Sequence, residues 1–493
     1  MMKVLPGLLT RNPSKQFKYM KYFFKIVKII AFSCIIGAFI GCFSKSKINE
    51  KITKPNIVFI LIDDLGWSDV GFLGNPVYDT PNLNDLSTES IVFTNAYAPA
   101  ANCAPSRACI MSGLNTPRHG IYTVGSSERG KSSSRKLIPT KNTTILKEEF
   151  ITIAEALKEH GYTTATMGKW HLGDDPKTQG FDINIGGSLA GHPKSYFSPY
   201  KNKALSDGED GEYLTDRLTK EAIKFITTNK DTPFFLYLPY FTVHTPLQGK
   251  NHLVEKYKTK LKNDKRFNEK YGAMVENMDT NIGVLLKKLK DLNLEDNTLV
   301  VFTSDNGGLA SVSSQFPLRA GKGSYYEGGI RVPFIVKWPK YIKEAKINDT
   351  PITGLDIFPT FMDVVKDKNH YSLDGNSILP IITEDEDKEL TERSLFWHFP
   401  IYLQGVSAKK DQARDSLFRT RPGSVLRKGK WKLHEYFENG DIELYNLETD
   451  VQELHDLSKQ NPEVIQELLT ELQQWRKRSN APVPTKINSD YIQ

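Results

Sequence analysis

The sequence predicts an α/β layer fold, because runs typical of buried strands alternate with amphipathic helices. Residues 55–64 (PNIVFILIDD), 233–246 (PFFLYLPYFTVHTP) and 298–308 (TLVVFTSDNGG) each begin as an apolar run and end in polar side chains. A continuous apolar run is typical of a strand that is covered on both faces, as in a parallel sheet. Ligands of such sheets bind at the carboxyl ends of the strands. We therefore expect the three polar ends to contribute to one site.

Two segments between these strands have the features of helices. Residues 152–161 (TIAEALKEHG) end on a glycine, which favours a helix C-terminus. A second segment repeats apolar residues at helical spacing, namely Val275, Met278, Ile282, Leu285 and Leu289. Helices of this kind cover the faces of a sheet and bury their apolar side against it.

The pattern changes in the last quarter of the chain. Residues 427–436 (RKGKWKLHEY) and 441–447 (DIELYNL) predict short strands of an antiparallel sheet, and residues 463–478 predict a final helix. We therefore divide the chain into a leader (1–42), a linker (43–54), a main domain (55–385) and a smaller C-terminal subdomain (386–493).

The charge of the chain argues against nucleic acid as a partner. The 493 residues carry a formal net charge of +7, but residues 1–50 hold nine lysines and arginines against one acid. The remainder has 56 basic and 57 acidic residues, a net charge of −1. A protein that binds nucleic acid through its folded body needs an excess of basic residues there, so we expect no such partner.

The leader predicts export. Lysines precede residues 29–41 (IIAFSCIIGAFIG), an apolar run that is short for a membrane span and of the right size for a signal peptide. The run ends in Phe39-Ile40-Gly41-Cys42, which resembles a bacterial lipobox except that Phe39 replaces the usual Leu. We expect a lipid anchor at Cys42 and a location in the periplasm, on the outer membrane or at the cell surface. A single membrane-spanning anchor is the alternative, and either Met1 or Met20 starts the leader.

Two cysteines, Cys103 and Cys109, remain for the folded body. Thiols six residues apart do not make a disulfide framework, and Cys109 is typical of a small buried hydrophobic residue. If a helix begins near Ala104, its positive end faces Cys103, and Arg107 lies one turn further on. An anion would be stabilised there. The same helix start would lower the pKa of a thiol, so a thiolate nucleophile is one interpretation.

Other polar residues suggest a metal and an anion site. Oxygen ligands at the predicted strand ends are offered by Asp63, Asp64, Asp305 and Asn306. They suit a hard cation such as Ca²⁺ or Mg²⁺ better than zinc, although capping and turn formation are the alternative. Lys169 and Lys322 offer positive charge, and His171 and His244 offer proton transfer. Each of these alone is also common as a surface or core residue.

Residues 103–107 (CAPSR), followed by Met111-Ser112-Gly113, resemble the signature of the type I sulfatases, Cys-x-Pro-Ser-Arg with a downstream glycine. The paired aspartates, GKWHLG, the histidine after the middle strand, SDNGG and GKGSYYEGGIRVP follow in that family's order. The resemblance extends from about residue 55 into the C-terminal subdomain. It implies an alkaline-phosphatase-like fold with a central mixed sheet, and an enzyme that hydrolyses sulfate esters.

The resemblance also implies roles for individual residues. A maturation enzyme would convert Cys103 to Cα-formylglycine, whose hydrate supplies the nucleophilic hydroxyl and expels sulfate by re-forming the aldehyde, whereas a simple alkoxide would be trapped as an ester. Arg107 would steady the hydrate, His171 would assist its deprotonation and His244 would protonate the leaving sugar oxygen. Lys169 and Lys322 would bind the sulfate. One Ca²⁺ ion would be held by Asp63, Asp64, Asp305, Asn306 and the modified residue 103.

We expect the substrate to be a sulfated polysaccharide or oligosaccharide, of the algal ulvan or carrageenan type ahead of glycosaminoglycan. Candidate sugar-binding residues are His192, His398, Arg419 and Arg421. Two alternatives remain open at this point. One is a phosphatase or phosphonate monoester hydrolase of the same superfamily, and the other is a lipid-anchored glycan-binding protein whose cysteine is never matured.

Overall fold

The three apolar runs form the middle of an eight-stranded sheet. A computed structural model describes residues 54–492 except 263, 265, 370, 384–387 and 406–411. The strands are β1 (Asn56–Ile62), β2 (Ile91–Phe93), β3 (Ala96–Tyr97), β4 (Thr163–Met167), β5 (Ile183–Ile185), β6 (Phe234–Pro239), β7 (Thr298–Ser304), β8 (Phe334–Lys337), β9 (Lys346–Asn348), β10 (Ile352–Thr353), β11 (Ser394–Phe399), β12 (Leu403–Gln404), β13 (Phe418–Thr420), β14 (Gly423–Lys428), β15 (Trp431–Tyr436) and β16 (Asp441–Asn446). The large sheet has the order β5-β4-β6-β1-β7-β8-β2-β9.

This sheet is mixed, as the resemblance implied. The central strand β1 pairs in parallel with β6 and β7, whereas β8 runs antiparallel to both β7 and β2. Side chains of β1 alternate between two cores: Ile57, Phe59 and Leu61 enter one, and Val58, Ile60 and Ile62 enter the other. Both faces of β1 are therefore covered, which explains its uninterrupted apolar sequence.

Helices cover both faces of the sheet. They are α1 (Pro81–Ser87), α2 (Cys103–Ser112), α3 (Thr116–His119), α4 (Ile153–Glu159), α5 (Leu214–Thr228), α6 (Asn251–Leu261), α7 (Glu269–Asp291), α8 (Glu327–Ile330), α9 (Ile357–Val365), α10 (Leu379–Thr383), α11 (Lys388–Glu392) and α12 (Pro462–Arg478). The predicted apolar stripe lies on α7 and is buried in one core. In α4, Thr152 forms a capping box with Glu155, and Gly161 follows the helix with a left-handed φ of 76°, as a C-terminal glycine does.

The C-terminal segment contains the antiparallel sheet and the helix that the sequence predicts. Its four strands have the order β11-β14-β15-β16. Helix α12 packs Leu468, Leu472 and Trp475 against Leu426, Leu433 and Leu444 of this sheet. The boundary that we place between residues 385 and 386 falls in the undescribed segment 384–387 and stays a prediction.

The leader, the linker up to residue 53 and Cys42 lie outside the described residues. Among the helices that are described, none combines the length and the apolar character needed to cross a bilayer.

Candidate active site

The carboxyl ends of β1 and β7 bring four oxygen-bearing side chains together. In the parallel register Ile62 lies opposite Ser304, so the residues that follow each strand become neighbours. The backbone N–H of Asp64 donates to Asp305 Oδ1 over 3.2 Å, and Asn306 Nδ2 donates to Asp64 Oδ1 over 2.8 Å. Both strand-end pairs, Asp63-Asp64 and Asp305-Asn306, are buried. The predicted proximity of these side chains is therefore present in the structure.

Cys103 is the first residue of α2 and points at this group of oxygens. Its Sγ lies 3.4 Å from Asp63 Oδ1, 3.7 Å from Asp64 Oδ1 and 3.0 Å from Lys322 Nζ. One ligand atom from each of Asp63, Asp64, Cys103 and His244 falls within 4.8 Å of the others. A nucleophile at position 103 would thus stand between carboxylates and a lysine.

Two further cations are fixed beneath the cysteine. Arg107, one turn along α2, donates from Nε to Asp305 Oδ2 over 2.8 Å and from Nη1 to the carbonyl of Lys169 over 2.7 Å. Lys169 Nζ donates to both carboxylate oxygens of Asp63, over 2.9 and 2.7 Å. Arg107, Lys169 and these two aspartates are almost inaccessible to solvent. Buried charges need such pairing, since an isolated one costs several kcal/mol.

The oxygen set fits a hard cation. Asn306 Oδ1 is buried and, within the described residues, has no hydrogen-bond partner. An orphaned buried acceptor beside three carboxylates is the donor chemistry that Ca²⁺ prefers. The residues that would hold the ion are Asp63, Asp64, Asp305 and Asn306, as the sequence predicts, with residue 103 within reach. Asp64 itself has a left-handed φ of 64°, a conformation that Asp tolerates and that is found at functional sites.

The structure contradicts the interpretation of Cys103 as a thiolate. Burial raises the pKa of its thiol well above the usual value, even though Lys169 and Lys322 oppose the shift. The helix start, which the sequence suggested would lower this pKa, is outweighed by desolvation and by the neighbouring carboxylates of Asp63 and Asp305. The thiol is therefore protonated at neutral pH.

His171 lies beside this group in an unusual backbone conformation. Its φ is 65°, and its Nδ1 is buried without a hydrogen-bond partner in the described residues. Burial, followed by the charges of Lys169 and Arg107, lowers its pKa well below the ordinary value. A Cβ atom on Gly191 would come within 2.5 Å of the imidazole ring. Glycine at 191 therefore makes room for His171.

His244 follows β6 and approaches Asp64. Its Nε2 lies 3.6 Å from Asp64 Oδ2, and its Nδ1 lies 2.7 Å from the carbonyl of Thr245. Since a carbonyl only accepts, Nδ1 carries a proton. Burial lowers the pKa of His244 to about 4, although Asp64 opposes the shift; Lys322 adds to it. The value near neutrality that the sequence suggested is not found, because the ring is buried among cations.

A cavity of about 220 Å³ opens above Cys103. It is lined by Asn102, Cys103, Thr123, Val124, Arg129, His171, Gly191, His192, His244, Lys322, Leu403 and Arg419. The ring of His192 stacks on that of His244, with centroids 6.1 Å apart. Of the four candidate sugar-binding residues, His192 and Arg419 thus line the cavity.

The other two candidates are corrected by the structure. His398 is 1% exposed, and its ring nitrogens lie 2.8 Å from Ser424 Oγ and 2.9 Å from the carbonyl of Pro482. Arg421 pairs with Asp415 over 2.5 Å and with Glu438 over 2.7 Å. Neither lines the cavity, because one is a core residue of the C-terminal sheet and the other is held by two carboxylates.

Arg129 lines the cavity but was missed by sequence reasoning. It lies in a polar segment, residues 125–136, that carries no motif and no regular pattern. A segment with four basic residues and several serines is typical of a surface loop. No signal in the sequence distinguishes Arg129 from a solvated side chain.

Comparison with known proteins decides the family. The family model described as Sulfatase matches residues 55–367, more than half of the chain. The chain belongs to the sulfatase family. A second model, described as N-sulphoglucosamine sulphohydrolase, C-terminal, matches residues 321–478. This sulfatase is accordingly a sulfuric ester hydrolase, and its fold is that of the alkaline-phosphatase-like enzymes.

Individual relatives agree with this family assignment. The sulfatase is 30% identical to a "Sulfatase" of Formosa agariphila, over 93% of this chain and 95% of the relative. It is 31% identical to the mouse N-acetylgalactosamine-6-sulfatase, over 72% of this chain and 70% of the relative. The solved structure of Ps i-CgsB in complex with k-i-k-neocarrahexaose has a TM-score of 0.71 and 32% identity, and it covers 89% of this chain and 95% of its own.

Proposed function

We propose that this sulfatase removes sulfate from a sulfated polysaccharide or oligosaccharide, with Cys103 matured to formylglycine and one Ca²⁺ bound. The observation that carries the proposal is the position of Cys103 Sγ, 3.4 Å from Asp63 and 3.0 Å from Lys322 at the floor of an open cavity. A galactan of the carrageenan type, or ulvan, is favoured over a glycosaminoglycan. The complex of Ps i-CgsB with a neocarrahexaose supports that preference.

The chemistry needs groups that an unmodified chain does not have. When present, the formylglycine hydrate supplies the attacking hydroxyl, and Ca²⁺ supplies positive charge next to it. Asp63, Asp64, Asp305 and Asn306 are the residues that would hold the ion. A thiol as buried as that of Cys103 is a poor nucleophile at neutral pH, and conversion of residue 103 removes this obstacle.

The cations of the floor act on the sulfate. Lys322 Nζ contacts both Cys103 and Asp64, so its charge stands beside the reacting position. Lys169 is fully buried and donates from Nζ to both carboxylate oxygens of Asp63. Fixed cations that face the developing charge of a transition state are usually the largest single contribution to catalysis. We assign both lysines to the sulfate oxygens and Arg107 to the orientation of residue 103.

We assign the two proton transfers of the reaction to the two histidines. The hydrogen bond from Nδ1 of His244 to the Thr245 carbonyl fixes its ring and leaves Nε2 as the atom that faces Asp64 and the cavity. Because Nδ1 holds the proton of the neutral ring, Nε2 must take up a second proton before it can protonate the leaving sugar oxygen. The carboxylate of Asp64, 3.6 Å away, favours that uptake. His171, whose Nε2 lies beside Gly191 and whose buried Nδ1 has no hydrogen-bond partner in the described residues, is assigned to the proton of the attacking hydroxyl.

The decisive experiment compares two cysteines of the same helix. Cys103→Ser is expected to abolish sulfate release from sulfated oligosaccharides, because serine cannot become formylglycine by the same route. Cys109→Ser, which changes a buried thiol near His119, is the matched control and should retain activity. Aryl sulfate and aryl phosphate are assayed side by side with the native protein. Dominant phosphate release would overturn the sulfate ester as substrate and favour the phosphatase alternative.

Maturation is tested by mass spectrometry of the peptide that spans Cys103, from protein made in its native host. We expect the mass of formylglycine, produced by a separate maturation enzyme. An unmodified thiol in all of the protein, together with intact binding of sulfated glycan, would favour the glycan-binding alternative instead.

We also propose that the protein is exported and anchored by lipid on Cys42, in the periplasm or on the outer membrane. The apolar leader and the lipobox-like residues 39–42 support this proposal. Incorporation of labelled fatty acid into the native protein, and its loss in Cys42→Ala, is the expected result. Membrane fractions that hold an unprocessed leader would instead favour a single spanning anchor.

A further inference from the structure

Two sets of positively charged side chains lie at the cavity, one at its floor and one in its lining. At the floor three cations, Arg107, Lys169 and Lys322, lie against the three carboxylates of Asp63, Asp64 and Asp305. The lining of the cavity also includes Arg129 and Arg419, which we call its wall. Among the described residues that line the cavity there is no Asp or Glu. Two guanidinium groups therefore belong to the lining of the same cavity.

Arg129 is held in place by neutral acceptors. Its Nε donates to Gln404 Oε1 over 3.0 Å, and its Nη1 contacts the carbonyl of Val124 at 3.4 Å. Burial lowers the pKa of Arg129, and the positive charge of Arg419 lowers it further. Both side chains line the same cavity, so an anion bound between them would be stabilised by two guanidinium groups.

The loop that carries Arg129 is fixed from behind. Arg135, only 7% exposed, donates from Nη1 to the carbonyls of Glu128 and Gly130 over 3.2 and 2.7 Å. Residue 128 also forms a bridge with Tyr402. A guanidinium on such a loop loses little further freedom when it binds, and that favours affinity.

Arg419 lies next to the segments that carry the reacting groups. A Cβ atom on Gly323 would stand 3.0 Å from Arg419 Cδ and 3.5 Å from Asn102 Oδ1. Gly323 follows Lys322 and has a left-handed φ of 87°, and Asn102 precedes Cys103. An anion bound by Arg419 would thus be carried by the sugar ring whose sulfate is removed or by the next ring.

We infer that Arg129 and Arg419 form a second anion-binding subsite, so that the preferred substrate carries a further sulfate or a carboxylate near the sulfate that is cleaved. The inference rests on the proposed function and narrows it to polyanionic glycans. A sulfate and a carboxylate each offer two oxygens that a guanidinium can bind through two hydrogen bonds, and separate substrates distinguish them.

The test uses the full-length matured protein and three disaccharides of one backbone: monosulfated, disulfated, and monosulfated with a uronic acid. Wild type is expected to have a higher kcat/KM for one of the two dianionic sugars than for the monosulfated one. Arg129→Gln and Arg419→Gln should each reduce that preference by about 10-fold to 100-fold, the usual effect of losing a charged hydrogen bond. Arg478→Gln, an exposed arginine at the end of α12, is the control and should leave the preference unchanged.

A binding measurement separates this inference from the proposed function. In a Cys103→Ala background, calorimetry compares the affinity for the disulfated and the monosulfated disaccharide, with and without Arg129→Gln. An affinity difference that Arg129→Gln removes would support the subsite. If the matured wild type hydrolysed none of the three sugars, the proposed reaction would be refuted, but this support for the subsite would stand. Equal kcat/KM and equal affinity for all three sugars in wild type would overturn the subsite while leaving a sulfatase. A preference that survives both glutamine variants would overturn it as well.

Discussion

Replacement of Lys432 by methionine should destabilise the fold, because this lysine holds two buried carboxylates together. Lys432 lies on β15 and is fully buried, with Nζ 2.8 Å from Glu327 Oε1 and 3.0 Å from Glu453 Oε1. Glu327 begins α8, five residues after Lys322, and Glu453 Oε2 accepts its backbone N–H. The cluster therefore joins the C-terminal sheet to the segment that carries Lys322.

The size of the loss follows from the burial of this cluster. Removing one partner of a buried ion pair costs about 3–5 kcal/mol, because the other charge stays desolvated and unpaired. Glu453 limits the cost at low pH, since burial and the nearby Glu327 already raise its pKa to about 7 although Lys432 opposes the shift. We expect the free energy of unfolding to fall by about 3 kcal/mol at pH 6 and by more at pH 8, where both carboxylates must be ionised.

The assay is unfolding by urea, followed by fluorescence at pH 6 and pH 8, with sulfate release measured in parallel. Lys430→Met, an exposed lysine on the same ribbon, is the matched control and should change stability by less than about 0.5 kcal/mol. Adding Glu327→Gln and Glu453→Gln to Lys432→Met should recover much of the loss, because no buried charge then remains. Equal losses for both lysines, or a loss that does not depend on pH, would refute this account.

Three further predictions concern separate parts of the molecule. The raised pKa of Glu453 stabilises the wild-type fold fully below pH 4.5, and this stabilisation is lost as pH rises through about 7. Between pH 4 and pH 8 the unfolding free energy of wild type should therefore fall by about 3 kcal/mol relative to that of Glu453→Gln, which lacks the carboxyl. Treatment with a calcium chelator should abolish sulfate release and lower the melting temperature, and added Ca²⁺ should restore both. Gly191→Ala should lower kcat about 10-fold or more by displacing the ring of His171. Gly173→Ala, where a Cβ would make only ordinary contacts at 3.7 and 3.8 Å, is the control and should retain activity.

The core elements that carry the site could be predicted because their signals are local. An apolar run followed by Asp63 and Asp64 defines both a buried strand and its polar end. Parallel strands of an α/β sheet present their carboxyl ends at one edge, so convergence of the polar ends was predictable, whereas the direct pairing of β1 with β7 that brings Asp305 to Asp64 was not. Helix α7 was predictable because its buried positions repeat at 3.6 residues.

The parts that sequence reasoning missed depend on contacts between distant segments. Whether His398 is a ligand or a core residue is decided by Ser424 and Pro482, which pack on it from other parts of the chain. Arg129 reaches the cavity because Arg135 and Gln404 hold its loop there. Desolvation, which sets the pKa of the Cys103 thiol, is likewise a property of the packed site and not of the helix start alone.

One short segment, residues 320–331, connects three of the charged clusters described above: the floor of the cavity, its wall and the ion cluster of the C-terminal sheet. Lys322 contacts Cys103 at the floor, Gly323 passes beside Arg419 at the wall, and Glu327 pairs with Lys432 in the C-terminal sheet. A change in the C-terminal ion cluster should therefore reach the reacting position through five residues of backbone. The activity of Lys432→Met is expected to fall even under conditions where the protein remains folded, because α8 positions the loop that carries Lys322.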